Sequence, residues 1–170
     1  MSTPLAMRPF LPGDAPGCAA IFRASIDVLA ADDYDDEQRA AWIARADDDK
    51  AFAARLAGNL TLVATISGEL AGFASLKGAD LIDMLYVDPR HARRGIGAAL
   101  IDALARIAQA RGAAKLTSDV SDAARPLFEH QGFAAQKRNL VSLADQWLAN
   151  TTMTKDLDAE KSAHSAPTRH

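Results

Sequence analysis

The stretch LYVDPRHARRGIGAALIDAL, from Leu85 to Leu104, decides the fold. Apolar and β-branched residues lead through Asp-Pro to two arginines and a Gly-Ile-Gly, and a run with helical spacing follows. A strand, a glycine-containing loop and a helix are therefore predicted in that order. Amides at the start of a helix lack partners and carry about half a positive charge, so the loop is predicted to bind a phosphate or pyrophosphate.

Two common nucleotide-binding motifs fail to match this loop. A P-loop ends in Gly-Lys-Ser or Gly-Lys-Thr, whereas Ala98 and Ala99 follow Gly97, so the lysine and the magnesium-binding hydroxyl are absent. A dinucleotide-binding loop needs a third glycine where this chain has Leu100. A nucleotide-binding protein of either kind is disfavoured, although two glycines also occur where a helix start only needs a flexible backbone.

The pattern on both sides of the loop predicts a single domain that mixes helices and strands. Such an order is typical of an α/β or α+β domain with a mixed sheet. In chain order we predict a short N-terminal strand, a helix through Leu29 capped by Asp14, helices over Asp35–Arg45 and Asp47–Leu56, strands at Leu60–Ile66, Leu70–Leu76 and Leu81–Val87, a helix from Gly95 to Arg111, a strand within Ala114–Val120, a helix within Ser121–Gly132, and strands within Phe133–Leu143 and Trp147–Leu157.

Composition narrows the class of protein. The 170 residues are 49% hydrophobic, which is enough for the core of one domain. The formal net charge of -3 disfavours nucleic acid as a partner, because proteins that bind it usually carry a basic excess. A single cysteine excludes a disulfide within the chain, and neither a signal peptide nor an apolar run of bilayer length is evident. A cytoplasmic protein without membrane contact is therefore expected.

Two further expectations concern the domain limits and metals. The domain is predicted to span 1–157, and the polar, aperiodic segment 158–170 is predicted to be a disordered tail. His91 and His130 are isolated and lack the spacing of metal ligands, so no metal is expected.

The stretch Leu85–Leu104 resembles the acetyl-CoA-binding motif of the GNAT (Gcn5-related) N-acetyltransferases, in which V-D-P leads to Q/R-x-x-G-x-G/A and a long helix. Downstream, SDAARPLFEHQGF (Ser121–Phe133) is similar to the family's next block, and the order of elements over Met7–Leu157 matches the family's fold. The resemblance implies a mixed, mostly antiparallel sheet with a V-shaped splay, flanked by helices. It also implies a small stand-alone bacterial enzyme that transfers acetyl from acetyl-CoA by direct attack in a ternary complex.

The same resemblance implies roles for individual residues. Leu85, Tyr86 and Val87 would run beside the pantetheine, and the Val87 N–H would polarise the thioester carbonyl. Ser121 stands where many relatives have an asparagine that contacts the cofactor, and Phe128 would pack near the thiol. The pyrophosphate would be held by the backbone amides of Arg93, Arg94, Gly95, Ile96, Gly97 and Ala98.

Two residues depart from the family pattern. Ala92 stands where the motif has Gln or Arg, so a side-chain contact near the phosphates is missing unless Arg93 or Arg94 supplies it. Phe128 stands where many relatives have a tyrosine that is often the acid for the leaving thiolate. Phenylalanine cannot donate a proton, so another group or a water must do so, or the thiolate leaves unprotonated.

Acetyl transfer requires a neutral amine, so an ammonium with a pKa of roughly 10.4 must first lose a proton. Asp83 is the first candidate base, because a carboxylate in an apolar strand needs an explanation and alternation predicts that Asp83, Leu85 and Val87 share one face. The alternative is that Asp83 pairs with an arginine at a strand irregularity. Asp119 is the second candidate, and Tyr86 faces the same side only if the strand bulges.

The acceptor is expected to be the amine of a small molecule or peptide, bound by the early helices and the last strands as in the family. Tyr34, Gln38 and Trp42 are spaced by four and would share one helical face, as an acceptor wall or as part of the core. Family members are often dimers, so a homodimer is one arrangement that the resemblance implies. A catalytically weak acetyl-CoA-binding sensor is the alternative function.

Overall fold

The structure is a computed structural model that describes residues 4–157, and within them five α-helices cover both faces of one seven-stranded sheet. The predicted α/β organisation is confirmed, whereas the predicted tail at 158–170 lies outside the described residues. The strands are β1 (Leu5–Pro9), β2 (Leu60–Ile66), β3 (Glu69–Lys77), β4 (Leu81–Val87), β5 (Lys115–Ser121), β6 (Ala134–Leu143) and β7 (Gln146–Asp156). The helices are α1 (Ala15–Leu29), α2 (Asp36–Ile43), α3 (Asp49–Gly58), α4 (Ile96–Ala110) and α5 (Arg125–His130).

The sheet has the strand order β1-β2-β3-β4-β5-β7-β6, and its neighbours are antiparallel except for β4 and β5. The predicted mixed, mostly antiparallel sheet is therefore confirmed. The parallel pairing of β4 with β5 involves only Leu81 with Thr117 and Ile82 with Ser118. Both strands continue past these positions without pairing to each other, which opens the V-shaped splay.

Each face of the sheet has its own hydrophobic core. On one face α4 buries Leu100, Ile101 and Leu104 completely, as its apolar spacing predicts. On the other face α1 and α3 bury Phe22 and Leu56 against the sheet. Burying each such side chain stabilises the fold by roughly 1.5–3 kcal/mol, so the splay lies in a sheet held on both sides.

A β-bulge interrupts the alternation of β4. The register with β3 shifts between Ser75 and Leu76, which leaves Asp83 as the extra residue on β4. Leu85 and Val87 pack in the core under α4, whereas Tyr86 packs on the side of α1 and α3. The prediction that Asp83, Leu85 and Val87 share one face is therefore wrong, because the extra residue turns Asp83 toward α3.

The connection between α1 and α2 is fastened to the far half of the sheet through Tyr34. This side chain is 5% exposed, and its hydroxyl donates a hydrogen bond to the Ala149 carbonyl of β7. The same oxygen accepts the N–H of Asp122, which follows β5. One hydroxyl thus joins three segments that surround the splay.

We expect Tyr34→Phe to lower the free energy of unfolding by about 1–3 kcal/mol, because a poorly accessible carbonyl and amide lose their shared partner. Chemical denaturation at neutral pH measures the change. A loss below about 0.5 kcal/mol would contradict this role, since it is the size expected of an ordinary surface substitution.

Candidate active site

The glycine loop before α4 holds an unusual backbone conformation. Gly95 directly precedes the helix with φ of 79°, and Arg93 has φ of 64°, so both residues lie in the left-handed region. A non-glycine residue in this region costs of order 1 kcal/mol or more and is most common at functional sites. The unpaired amides at the start of α4 therefore follow a loop whose backbone is strained at Arg93.

One arginine of the loop forms an ion pair, and the other two are exposed to solvent. The guanidinium of Arg90 pairs with Asp88 at 2.9 Å, and Asp88 also accepts the N–H of Arg90. The side chains of Arg93 and Arg94 are exposed, and neither forms an ion pair with any residue in 4–157. Two positive charges are thus available at the anion-binding end of α4.

The second glycine of the loop is required by packing. A Cβ atom on Gly97 would lie 2.7 Å from Cδ2 of Leu127 and 3.8 Å from Val87. Because this residue lacks a side chain, α5 and the end of β4 approach the first turn of α4 closely. Gly95 is needed for its dihedral angle and Gly97 for this contact, a distinction that the sequence pattern did not make.

A groove of about 160 Å³ lies in the splay, between the end of β4 and the residues that follow β5. It brings together the predicted residues Leu85, Tyr86, Val87 and Ser121. Its remaining walls come from the end of α1, from Trp42, and from the residues that lead into α5. Those further lining residues are Ser25, Ile26, Leu29, Ala30, Ala123, Ala124 and Leu127.

Phe128, which the resemblance places near the pantetheine thiol, does not line the groove. Its side chain is 2% exposed and lies in the core under α4, with its ring 5.0 Å from that of Phe133. Leu127 lines the groove in its place. The short helix α5 begins only at Arg125, with Pro126 in its first turn, and this orientation could not be read from the motif spacing.

A wider front cavity of about 300 Å³ opens on the other side of the splay. Both candidate bases, Asp83 and Asp119, line it. The front cavity and the groove share three lining residues, Trp42, Tyr86 and Ser121, so the two spaces adjoin at these side chains. The front cavity is also lined by Phe22, Tyr34, Arg45, Arg55, Leu81, Ile82, Met84, Val141, Leu143, Leu148, Ala149 and Asn150.

Asp83 is held by an ion pair on the floor of this cavity. Nε and Nη2 of Arg55 donate to its two carboxylate oxygens at 2.8 and 3.0 Å, and the Asn59 side chain donates to Oδ2 at 3.1 Å. Burial alone would raise the pKa of Asp83, but the hydrogen bonds and charge of Arg55 outweigh it and hold the pKa below its usual range. The carboxylate is therefore ionised at neutral pH, and among residues 4–157 its Oδ1 accepts only the one hydrogen bond from Arg55, which leaves a lone pair for a further donor.

Asp119 has a more open setting. Its Oδ1 accepts a hydrogen bond from Oγ1 of Thr152 at 2.6 Å, and Asn139 donates to the same hydroxyl at 2.8 Å. The side chain is exposed, and its other oxygen faces no donor within the described residues. Asp83 is thus partly buried and held at both oxygens, whereas Asp119 is exposed and held at one.

The residues predicted to form an acceptor wall separate into two groups. Tyr34 and Trp42 line the front cavity, and their rings are 5.5 Å apart. Gln38 does not line the front cavity. Its amide oxygen accepts the N–H of Asp35 in a capping box, and its amide nitrogen donates to the Trp147 carbonyl. The Asp-x-x-Gln pattern was the signal for this structural role.

Sequence reasoning did not find the cations of the front cavity. Arg45 follows α2, and Arg55 and Asn59 lie one turn apart at the end of α3. Their sequence neighbours give no sign of their role, since the fold alone brings α3 beside the bulge in β4. The alternative that Asp83 pairs with an arginine at a strand irregularity was the available signal, and Arg55 beside the bulge is that arginine.

Membrane-spanning helices and clusters of metal-binding side chains are both absent from the described residues. No helix within residues 4–157 is long and apolar enough to cross a membrane. In the same range, no three His, Cys, Asp or Glu side chains are grouped so that they could hold a metal ion.

Comparisons with known proteins agree on one family. A family model described as an acetyltransferase (GNAT) domain matches residues 30–157. The uncharacterized N-acetyltransferase YafP of Escherichia coli K12 is 34% identical over 147 residues, which covers 86% of this chain and 93% of YafP. A crystal structure of a GCN5-related N-acetyltransferase from Rhodopseudomonas palustris is 58% identical, with a TM-score of 0.89 over 92% of this chain and 97% of the other. The PaiA N-acetyltransferase of Thermoplasma acidophilum, in complex with coenzyme A, shares the fold at 18% identity, with a TM-score of 0.74 over 92% of this chain and 99% of the other.

We expect Arg55→Gln to destabilise the protein by roughly 1–3 kcal/mol at neutral pH, because Asp83 loses its charged hydrogen-bond partner. The lowered pKa of Asp83 means that its stabilisation is present above the unfolded value near 3.9 and is lost as pH falls through the folded value. The difference between wild type and variant should therefore shrink in acid. Denaturation across this pH range measures it.

Arg106→Gln is the matched control, because it removes an exposed ion pair with Asp102 on α4. Such surface pairs contribute little, so its effect should stay below about 1 kcal/mol at every pH. An Arg55→Gln difference that stays constant into acid would contradict the role given to Asp83.

Proposed function

This chain belongs to the GNAT acetyltransferase family of acetyl-CoA-dependent acyltransferases, and we propose that it moves acetyl from acetyl-CoA to an amine by direct attack in a ternary complex. One observation carries the proposal: the groove and the front cavity adjoin at Trp42, Tyr86 and Ser121. A thioester that reaches this junction along the groove would face an amine that arrives through the front cavity. The expected acceptor is a small-molecule or peptide amine.

The loop and the splay support the proposed binding of acetyl-CoA. The amides of residues 93–98 and the charges of Arg93 and Arg94 suit a pyrophosphate. Pairing of β4 with β5 ends at Ile82, so the β4 backbone beyond it offers free hydrogen-bonding groups to the pantetheine amides, as an added strand would use. The Val87 N–H is the proposed donor to the thioester carbonyl. The Thermoplasma protein, which has the same fold, was crystallised in complex with coenzyme A, and this supports coenzyme A as the ligand.

Asp83 is the proposed proton acceptor for the entering ammonium. It lines the front cavity, is ionised at neutral pH and keeps one acceptor position on Oδ1, so it suits a proton transfer through a water. Its low pKa makes it a weak base, and its charge also favours a cation at this point. Asp119 stays the second candidate, because it lines the same cavity.

The alternative of a binding-only sensor has less support. A sensor needs the groove but has no use for a second cavity that joins it and carries two carboxylates. An enzyme needs both spaces. The front cavity therefore favours catalysis.

We expect Gly95→Ala to weaken coenzyme A binding, because alanine at a φ of 79° costs about 1–2 kcal/mol and the loop must change shape to avoid that cost. The dissociation constant, measured by calorimetry, should rise roughly 5- to 30-fold. Gly95→Asn should have a smaller effect, since asparagine tolerates this region better.

Gly58→Ala is the control for the glycine substitutions, because its φ is not positive and a Cβ there meets nothing within 4 Å. It should bind coenzyme A as the wild type does. Wild-type affinity in Gly95→Ala would contradict the proposed role of the loop.

With acetyl-CoA and a panel of amines (an alkylamine, spermidine, lysine and an alanine-initiated peptide), we expect free thiol release that depends on the amine. Asp83→Asn should slow this release by about 10²-fold or more, as loss of a general base does, while acetyl-CoA still raises the melting temperature. An unchanged rate would remove Asp83 as the base.

Asp14→Asn is the matched control for Asp83→Asn, because Asp14 has the same two-bond pairing with an arginine, Arg8, outside both cavities. It should leave the rate unchanged. Equal losses in the two variants would mean that the loss in Asp83→Asn reflects a broken ion pair, which would also contradict the proposed base.

A further inference from the structure

The proposed reaction must move one proton from the attacking nitrogen to the departing sulfur, and Phe128 offers no hydroxyl for that transfer. We propose that the Tyr86 hydroxyl is the catalytic group that relays this proton across the junction of the groove and the front cavity. The inference rests on the proposed function and deepens it by naming the acid. Its basis is the position, packing and hydrogen bonding of Tyr86.

Tyr86 lies where a relay must lie. It lines the groove, in which the sulfur would sit, and it lines the front cavity, from which the nitrogen would come. The bulge at Asp83 brings that carboxylate to the side of Tyr86, because without the extra residue alternation along β4 would turn Asp83 to the opposite face. The candidate base and the proposed relay therefore lie on one side of β4.

An aromatic cluster fixes the Tyr86 ring. Its centroid is 4.7 Å from that of Phe22, 5.7 Å from that of Phe73 and 6.3 Å from that of Trp42. Such packing leaves the ring little freedom. The hydroxyl is thus held at a defined point, as proton transfer requires.

The hydrogen bonding of Tyr86 leaves its proton available. Nε1 of Trp42 donates to the Tyr86 hydroxyl oxygen at 3.3 Å, and an indole N–H can only donate. No carbonyl or carboxylate in residues 4–157 accepts the Tyr86 proton, whereas the Tyr34 hydroxyl already donates to Ala149. The bond from Trp42 would also stabilise the phenolate that forms for a moment during the relay.

Burial keeps the Tyr86 hydroxyl protonated before the reaction. The net effect of its surroundings is to raise the pKa of Tyr86 to about 12, and burial is the largest cause. The hydrogen bond from Trp42 and the charges of Arg55 and Arg45 lower the pKa by less, and the charge of Asp83 raises it. The hydroxyl is thus neutral at physiological pH and can act as an acid.

The relay balances without a further reactant. The neutral amine attacks the thioester carbon, so a C–N bond forms and the carbonyl π pair moves to oxygen, beside the Val87 N–H. As the carbonyl re-forms, the C–S bond breaks and its electron pair goes to sulfur, which takes the proton of Tyr86. The phenolate then takes the extra proton of the nitrogen. The products are the acetamide and the free thiol of coenzyme A, and Tyr86 is restored.

The first test is Tyr86→Phe, which keeps the ring in the aromatic cluster and removes only the hydroxyl. With the amine of the panel that the wild type uses fastest, we expect kcat to fall by about 10²-fold or more, and the dissociation constant of coenzyme A to stay within about twofold. Ser121, whose hydroxyl accepts the Ala124 N–H and also lies at the junction, is compared through Ser121→Ala. A larger fall in Ser121→Ala than in Tyr86→Phe would overturn the assignment.

The second test separates chemistry from packing by placing a fluorinated tyrosine of lowered phenol pKa at position 86. A relay needs the protonated phenol, so turnover should be lost as pH rises through that pKa. The loss should move to lower pH in the fluorinated protein than in the wild type. A structural hydroxyl would leave the pH profile unmoved, and that result would overturn the proposal even if Tyr86→Phe is inactive.

The outcomes distinguish this inference from the function on which it rests. Wild-type protein that releases thiol with no amine of the panel would overturn the proposed function, and the relay with it. An active wild type with an equally active Tyr86→Phe would overturn the relay alone.

Discussion

The parallel pairing of β4 with β5 ends after two positions, and the rest of the site depends on this early end. Buried backbone groups need partners, so a strand that leaves its neighbour in the middle of a sheet must meet another polar group there. The groove, the front cavity and the Val87 N–H all lie in the space that the divergence opens. A fully paired β4 and β5 would leave room for neither an acetyl donor nor an acceptor.

Several contacts keep the two strands apart. β5 pairs with β7 at seven consecutive positions, which commits it to the far half of the sheet. β4 pairs with β3 and carries the bulge at Asp83, which increases its local twist. Tyr34 fastens the connection between α1 and α2 to both β7 and the turn after β5, so it spans the opening at its edge. The splay is therefore built into the hydrogen bonding of the sheet.

The sequence predicted the order of elements well, because hydrophobic period and turn residues act locally. The strand at Leu81–Val87 agrees with the structure at both ends, and the glycine loop precedes a helix as expected. The bulge was one of the alternatives open for Asp83 and Tyr86, but the sequence could not decide it, since it depends on the register of β4 against β3 and not on the composition of β4. That one residue decides the face of Asp83 and brings Tyr86 beside it, so the site was predicted less well than the fold.

The structure brings some of the residues assigned from the motif to the groove and leaves others away from it. Leu85, Val87 and Ser121 line the groove because strand position determines this. Phe128 turns into the core because α5 is short, and Gln38 is used for a capping box. Arg55 was not found because its partner, Asp83, lies 28 residues further along the chain.

The central claim is that donor and acceptor occupy the two joined cavities at the same time. Initial-rate kinetics, with acetyl-CoA and the amine varied together, test it most directly. The structure predicts double-reciprocal lines that intersect, because both substrates must be bound before either product leaves. Parallel lines, the mark of a ping-pong reaction through an acetylated enzyme, would contradict the account.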